Sequence, residues 1–243
     1  MRVGVITGTG TYALPDLAGE GVEVVHVARH EAGHRRLSNQ VDHRANMRWL
    51  REQRVDAILA VTVCGAVDPG VPLGSLIVFD DLHFLANRFA DGSICTLHET
   101  PGDADRGHWI YDGPFAEGLR AALLEGARAA GVPARDGGCY GHVDGPRFNT
   151  RAEIRSLALA GVTAVSQTAG PETVLAGEAE IPYALLGYAT DYANGVTEQP
   201  TPVDELVRLI GASGATFSEV LASTLPLLPR ADLAPPGTIY RFE

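Results

Sequence analysis

Short apolar runs bounded by Gly, Asp and Pro alternate along this chain with longer segments of helical period. That alternation restricts the fold to strand and helix units packed around a sheet, an α/β domain. Two runs, 56–62 and 183–190, are apolar almost without a break, the pattern of strands whose two faces are both covered. Segments 3–6, 22–27, 75–79, 138–143 and 162–166 read as further strands. Helices are expected over 38–54, with Ser38 as N-cap and Val41, Ala45 and Trp49 on one face, and from Pro114 to the stop signal at Gly131-Val132-Pro133. Others are expected from Thr150, after Pro171 and over 203–225. No repeat or low-complexity linker interrupts the 243 residues, so a single domain, 1–243, is expected, with a loop or arm after Pro229.

Charge and composition narrow the function. All 19 basic residues are arginines, against 30 acidic ones, for a net charge of −11. Without lysine there is no Walker A phosphate loop, no Schiff-base lysine and no lysine general base. The acidic balance argues against a nucleic-acid partner, which needs a broad positive surface, although small anions can be held at local arginine sites. Cys64, Cys95 and Cys139 form neither a zinc pattern nor a disulfide framework, which points to a reducing compartment. The apolar stretch after Met1 is too short for a secretory leader and no run approaches the roughly 20 residues of a membrane span, so a cytoplasmic protein with no membrane partner is expected.

Several segments bear chemistry. Gly8-Thr9-Gly10 follows the first strand, where it is either a ligand-binding turn or a plain tight turn; Ala13 stands where a dinucleotide fingerprint has its third glycine. Arg29-His30 follows the second strand, with His34 four residues on. A guanidinium and a neighbouring imidazole donor can recognise an oxyanion there, or the loop is simply solvated, since Arg35 and Arg36 follow. The His30/His34 spacing is a weak metal motif with no third ligand nearby. Thr62-Val63-Cys64-Gly65 ends a buried strand in small residues that let a ligand approach, with Cys64 read as a packed hydrophobe. Thr150 and Glu153 form a capping signature, and Phe148 beside them is a stacking platform or core. Asp191 closes the most apolar strand, where it is either a desolvated carboxyl that keeps its proton or an ordinary capping residue.

Together these segments resemble the purine nucleoside phosphorylase and methylthioadenosine phosphorylase family, in its trimeric branch. The likeness runs in order through Ile6-Thr7-Gly8-Thr9-Gly10, Arg29-His30 with His34, Asn46, Thr62-Val63-Cys64-Gly65, Gly145-Pro146-Arg147-Phe148 with Arg151-Ala152-Glu153, Thr168 to Pro171-Glu172, and Ala189-Thr190-Asp191-Tyr192. It implies a mixed central β-sheet flanked by helices, a cytoplasmic homotrimer, and phosphorolysis of a purine nucleoside in purine salvage. Inorganic phosphate is then the co-substrate, with no metal or organic cofactor.

By the same resemblance, phosphate ligands fall on Thr9, Arg29, His30, Thr62, Val63 and Thr168. Nucleoside ligands fall on Cys64, Gly65, His108, Phe148, Gln167 and Asp191, with His108 toward the 5′ substituent and Asp191 assisting the leaving purine. Gln167 replaces the family's usual Met under the ribose. Ala193 replaces a second Asp of the adenine-preferring branch, and His142 and Asp144 also depart from the pattern. Asp191 favours 5′-methylthioadenosine or a related 5′-modified 6-aminopurine nucleoside. The alternatives are a 6-oxopurine nucleoside such as inosine or methylthioinosine, a phosphate-independent hydrolase, and a non-catalytic purine-binding homologue.

Overall fold

The computed structural model describes residues 1–12, 17 and 21–242, which leaves Ala13 outside the description. In chain order the elements are β1 (Arg2–Thr7), β2 (Glu23–Ala28), α1 (His43–Glu52), β3 (Ala57–Ala66), β4 (Leu76–Val78), β5 (Asp81–His83), β6 (Gly107–Ile110), α2 (Glu117–Ala129), β7 (Ala134–Asp136), β8 (Cys139–His142), α3 (Arg151–Leu159), β9 (Val162–Ser166), α4 (Ala169–Glu178), β10 (Tyr183–Tyr192), α5 (Val203–Thr224) and β11 (Thr238–Arg241).

Nine of these strands form one mixed sheet whose spine is β3 running parallel to β10. Both strands alternate between two cores. Ala57, Leu59 and Val61 of β3 pack with Leu119 and Leu123 of α2 and Phe217 and Val220 of α5, whereas Ile58, Ala60 and Cys64 pack with Met47 and Leu50 of α1 and Leu175 of α4. Coverage on both faces is why the two runs read as continuously apolar.

The other edge of β3 is shared. β1 pairs in parallel with residues 57–60 and β9 pairs antiparallel with residues 65–66, so the sheet parts between them along residues 61–64. A gap of this kind, at the carboxyl ends of parallel strands, is where α/β sheets admit ligands.

Three expectations are corrected. Asp42, not Ser38, caps α1: its carboxylate accepts the Ala45 N–H at 2.9 Å, while Ser38–Gln40 makes a separate 3-10 turn. The buried face of α1 is His43, Met47 and Leu50, leaving Ala45 and Trp49 exposed. A buried histidine reads as polar, which hid the true stripe. The segment after Pro229 is not only a loop, because it ends in β11, which pairs with β6 as a separate two-stranded ribbon. Short strands with alternately exposed residues give no apolar run to recognise. The capping box at Thr150 and Glu153 is present as expected at the start of α3.

Candidate active site

Arg29 leaves the end of β2 and turns into the interior, where its side chain is almost fully buried. A lone buried guanidinium would be strongly unfavourable, and Glu172 of α4 resolves this with a bidentate pair: Nε donates at 2.6 Å and Nη2 at 2.7 Å. The Tyr183 hydroxyl donates to the same carboxylate at 3.1 Å. Burial opposes both charges, but the pairing outweighs it, holding the Glu172 carboxyl below its ordinary value and Arg29 above its own. Nη1 donates to the Val61 carbonyl at 2.8 Å, on the stretch of β3 that lacks a strand on that edge. Three of the five N–H donors are thereby used, and two remain.

The glycines of the first loop follow from these contacts. A side chain at Gly8 would sit 2.6 Å from Arg29 Nη1. Gly10 has φ +82° and lies against the Ile210 carbonyl of α5, where a Cβ would come within 2.7 Å. Close packing against Arg29 and α5, not dinucleotide recognition, explains the motif.

Between these groups lies a cavity of about 280 Å³. Its wall includes Thr9, Arg29, His30, Thr62, Val63 and Thr168. Thr168 immediately precedes α4 and its hydroxyl does not cap the helix, so it remains a donor beside a positive helix terminus. Hydroxyls, a helix terminus and the two spare donors of Arg29 can hold an oxyanion in surroundings without net formal charge. His30 commits one ring nitrogen to the backbone. Its Nδ1 donates to the Arg36 carbonyl at 2.9 Å, and burial together with the Arg29 charge holds the ring at about 4, hence neutral.

Cys64, Gly65, Phe148, Gln167 and Asp191 line the same cavity. Val61, which receives Arg29, and Gly65, which faces Asp191, are four residues apart on β3, about 13 Å along the strand. Burial raises the Asp191 carboxyl above its ordinary value, opposed by the Thr190 hydroxyl, which donates to Oδ1 at 2.9 Å. Oδ2 lies 3.2 Å from the position of a Cβ at Gly65, so a side chain there would crowd it. Cys64 is buried, and burial and Asp191 push its thiol up, which keeps it a packed neutral group. Phe148 is 61% exposed at the cavity wall and is therefore not core. The polar atoms of Gln167 are engaged: Oε1 accepts from the Ser38 hydroxyl at 2.8 Å and Nε2 donates to the Arg147 carbonyl at 3.2 Å.

A sequence model described as "Phosphorylase superfamily" matches residues 7–226. The chain belongs to that family. The "6-oxopurine nucleoside phosphorylase" of Pyrococcus furiosus is 32% identical over 86% of this chain and 78% of its own length. The "S-methyl-5'-thioadenosine phosphorylase" of Geobacter sulfurreducens is 29% identical over 92% of this chain and 76% of its own. Methylthioadenosine phosphorylase from Schistosoma mansoni, solved in complex with adenine, superposes with a TM-score of 0.82 at 24% identity, covering 96% of this chain and 93% of that one, a likeness of fold.

In this phosphorylase fold the cavity gathers all the expected site residues except His108. That residue lies in β6, on the ribbon with β11, with its ring against Phe242, outside the cavity of its own chain. The cavity also recruits Ser38, expected only as a helix cap, and residues to which the sequence gave no role, among them Ser166, Asn194, Leu206 and Ile210. Leu206 and Ile210 are one helical turn apart on α5, a spacing visible in the sequence but indistinguishable there from core. Glu172 was also given no role, although a carboxylate among the buried residues of a helix is a sign of a buried pair. Among the described residues, no group of three or more His, Cys, Asp and Glu side chains could hold a metal ion, and no helix is long and apolar enough to cross a membrane.

Proposed function

We propose that this cavity carries the phosphorolysis of a purine nucleoside, most favourably 5′-methylthioadenosine or a related 5′-modified 6-aminopurine nucleoside, to free purine and a pentose 1-phosphate. One observation carries the reading: a single cavity joins an oxyanion cradle at Arg29 to a carboxyl, Asp191, whose burial favours its protonated form. Breaking the glycosidic bond places negative charge on the purine and positive charge on the sugar. Asp191, with Oδ1 accepting from Thr190 and Oδ2 open beside Gly65, donates from Oδ2 to purine N7. Phosphate held by Thr9, Arg29, Thr62 and Thr168 lies beneath the sugar, stabilises its positive charge and attacks C1′. Phosphate is a co-substrate, and the reaction so written calls for no metal or organic cofactor.

The protein is proposed to act in the cytoplasm as a homotrimer. Because His108 lies outside its own chain's cavity, its role toward the 5′ substituent holds only if a neighbouring copy supplies it. A 6-oxopurine nucleoside is the second reading, favoured by the identity to the Pyrococcus furiosus protein of that name. Incubation with methylthioadenosine, adenosine, inosine and methylthioinosine, with and without phosphate, tests both. Phosphate-dependent release of adenine supports the first, and release of hypoxanthine alone supports the second. Release without phosphate identifies a hydrolase, and binding without release identifies a purine-binding homologue.

A further inference from the structure

On the edge that carries N7, a 6-aminopurine presents two groups side by side, the N7 lone pair and an N–H of the 6-amino group. A 6-oxopurine presents two acceptors there. Asp191 serves the first position from Oδ2, which leaves the second without a partner. Ala193, two residues on, has no polar side chain to offer, and it is buried. The next residue does have one. Asn194 forms part of the same cavity wall, and its Nδ2 donates to the Asn149 carbonyl at 2.7 Å. A backbone carbonyl only accepts, so this contact fixes which way round the amide sits and leaves Oδ1 as an acceptor with no partner among the described residues.

The loop that carries the amide is held on both sides. The Ala193 N–H donates to the Ala66 carbonyl at 2.9 Å, and the Val196 N–H returns to the Ala193 carbonyl at 3.0 Å. Gly195 has φ +85° and packs on Arg151, where a Cβ would come within 2.9 Å of the side chain. Phe148, the exposed ring of the cavity wall, immediately precedes the residue whose carbonyl orients Asn194. We propose that Asn194 selects the 6-amino group, Oδ1 accepting its N–H while Asp191 serves N7. This rests on the reading of the cavity as a purine nucleoside site. A 6-oxo base would bring O6 against Oδ1, and turning the amide over to meet it would set Oδ1 against the Asn149 carbonyl instead. Either arrangement opposes two acceptors with no hydrogen between them.

Two measurements on the whole protein test this: calorimetric binding of adenine and hypoxanthine, and kcat/KM for methylthioadenosine and methylthioinosine with phosphate. The unaltered protein is expected to favour the 6-amino member of each pair by about 10- to 100-fold. Asn194→Ala should cut each ratio by about tenfold, through loss on the 6-amino side, with the phosphate KM unchanged. A merely structural role would move both members of a pair together, and an unchanged ratio in the folded variant overturns the proposal. Equal or 6-oxo-favouring ratios in the unaltered protein also overturn it, a comparison that stands alone if the variant does not fold. Base binding without phosphorolysis of either nucleoside overturns the phosphorolysis reading and leaves the binding ratio to decide the role of Asn194. Neither binding nor turnover overturns the purine site itself, and the proposal with it.

Discussion

Two desolvated carboxyls, Glu172 behind Arg29 and Asp191 at the other end of the cavity, are handled in opposite ways. At Glu172 the carboxylate is fully paired, by Arg29 twice and Tyr183 once, and its burial keeps the charges in place. At Asp191 the carboxylate has one hydroxyl partner and an open oxygen, and burial favours the neutral acid. The same desolvation therefore stands behind a fixed ionic pair at Glu172 and a carboxyl shifted toward its protonated form at Asp191, and the difference is whether a guanidinium is within reach.

Removing the carboxylate separates the two most sharply. Glu172→Ala leaves Arg29 buried without its partner and is expected to cost about 3–5 kcal/mol, read as a lower urea midpoint with activity lost alongside. Asp191→Asn should lower turnover of a 6-aminopurine nucleoside by about two to four orders of magnitude while leaving the protein no less stable. The sign follows from its raised value: ionising Asp191 costs stability as pH rises through the folded-state value, and the amide avoids that cost. Turnover by the unaltered enzyme should fall over the same interval.

Acid should act in the opposite sense around Arg29. His30 and His43 sit at about 4 and His142 at about 3, each below the ordinary 6.5, mainly through burial. The unfolded chain then binds protons that the folded one does not, so the stability present above 6.5 should fall as pH drops toward 4, measured by unfolding midpoints against pH. Phe148→Ala should raise the nucleoside KM roughly fivefold, for about 1 kcal/mol of lost stacking, with the phosphate KM unchanged. Ser38→Ala, which frees Gln167 Oε1, should shift the nucleoside KM by about twofold to fivefold, again without change in the phosphate KM. Equal shifts in both constants would mean that the two ends are not independent.

Much of this was readable from local pattern. The spine strands announced themselves because both faces are covered, and the Thr150–Glu153 cap did so because its bonds span three residues. The start of α1 was misplaced because Ser38 and Asp42 both fit a cap, and only the fold gives the Ser38 hydroxyl to Gln167 instead. Position at the end of an apolar strand left Asp191 either a desolvated carboxyl or an ordinary capping residue; the fold decided for desolvation and set Oδ2 beside Gly65 across the strand pair.

The sequence by itself determined the strand and helix alternation, the absence of lysine and the order of the family's segments, since period, composition and order are properties of neighbouring residues. The tertiary structure decided what those segments do. It brought Glu172 to Arg29 across 143 residues, parted the sheet where β1 and β9 share an edge of β3, turned the His30 donor toward Arg36 and left His108 outside its own cavity. Charge compensation and hydrogen-bond direction depend on which groups meet in space, and no local pattern encodes that meeting.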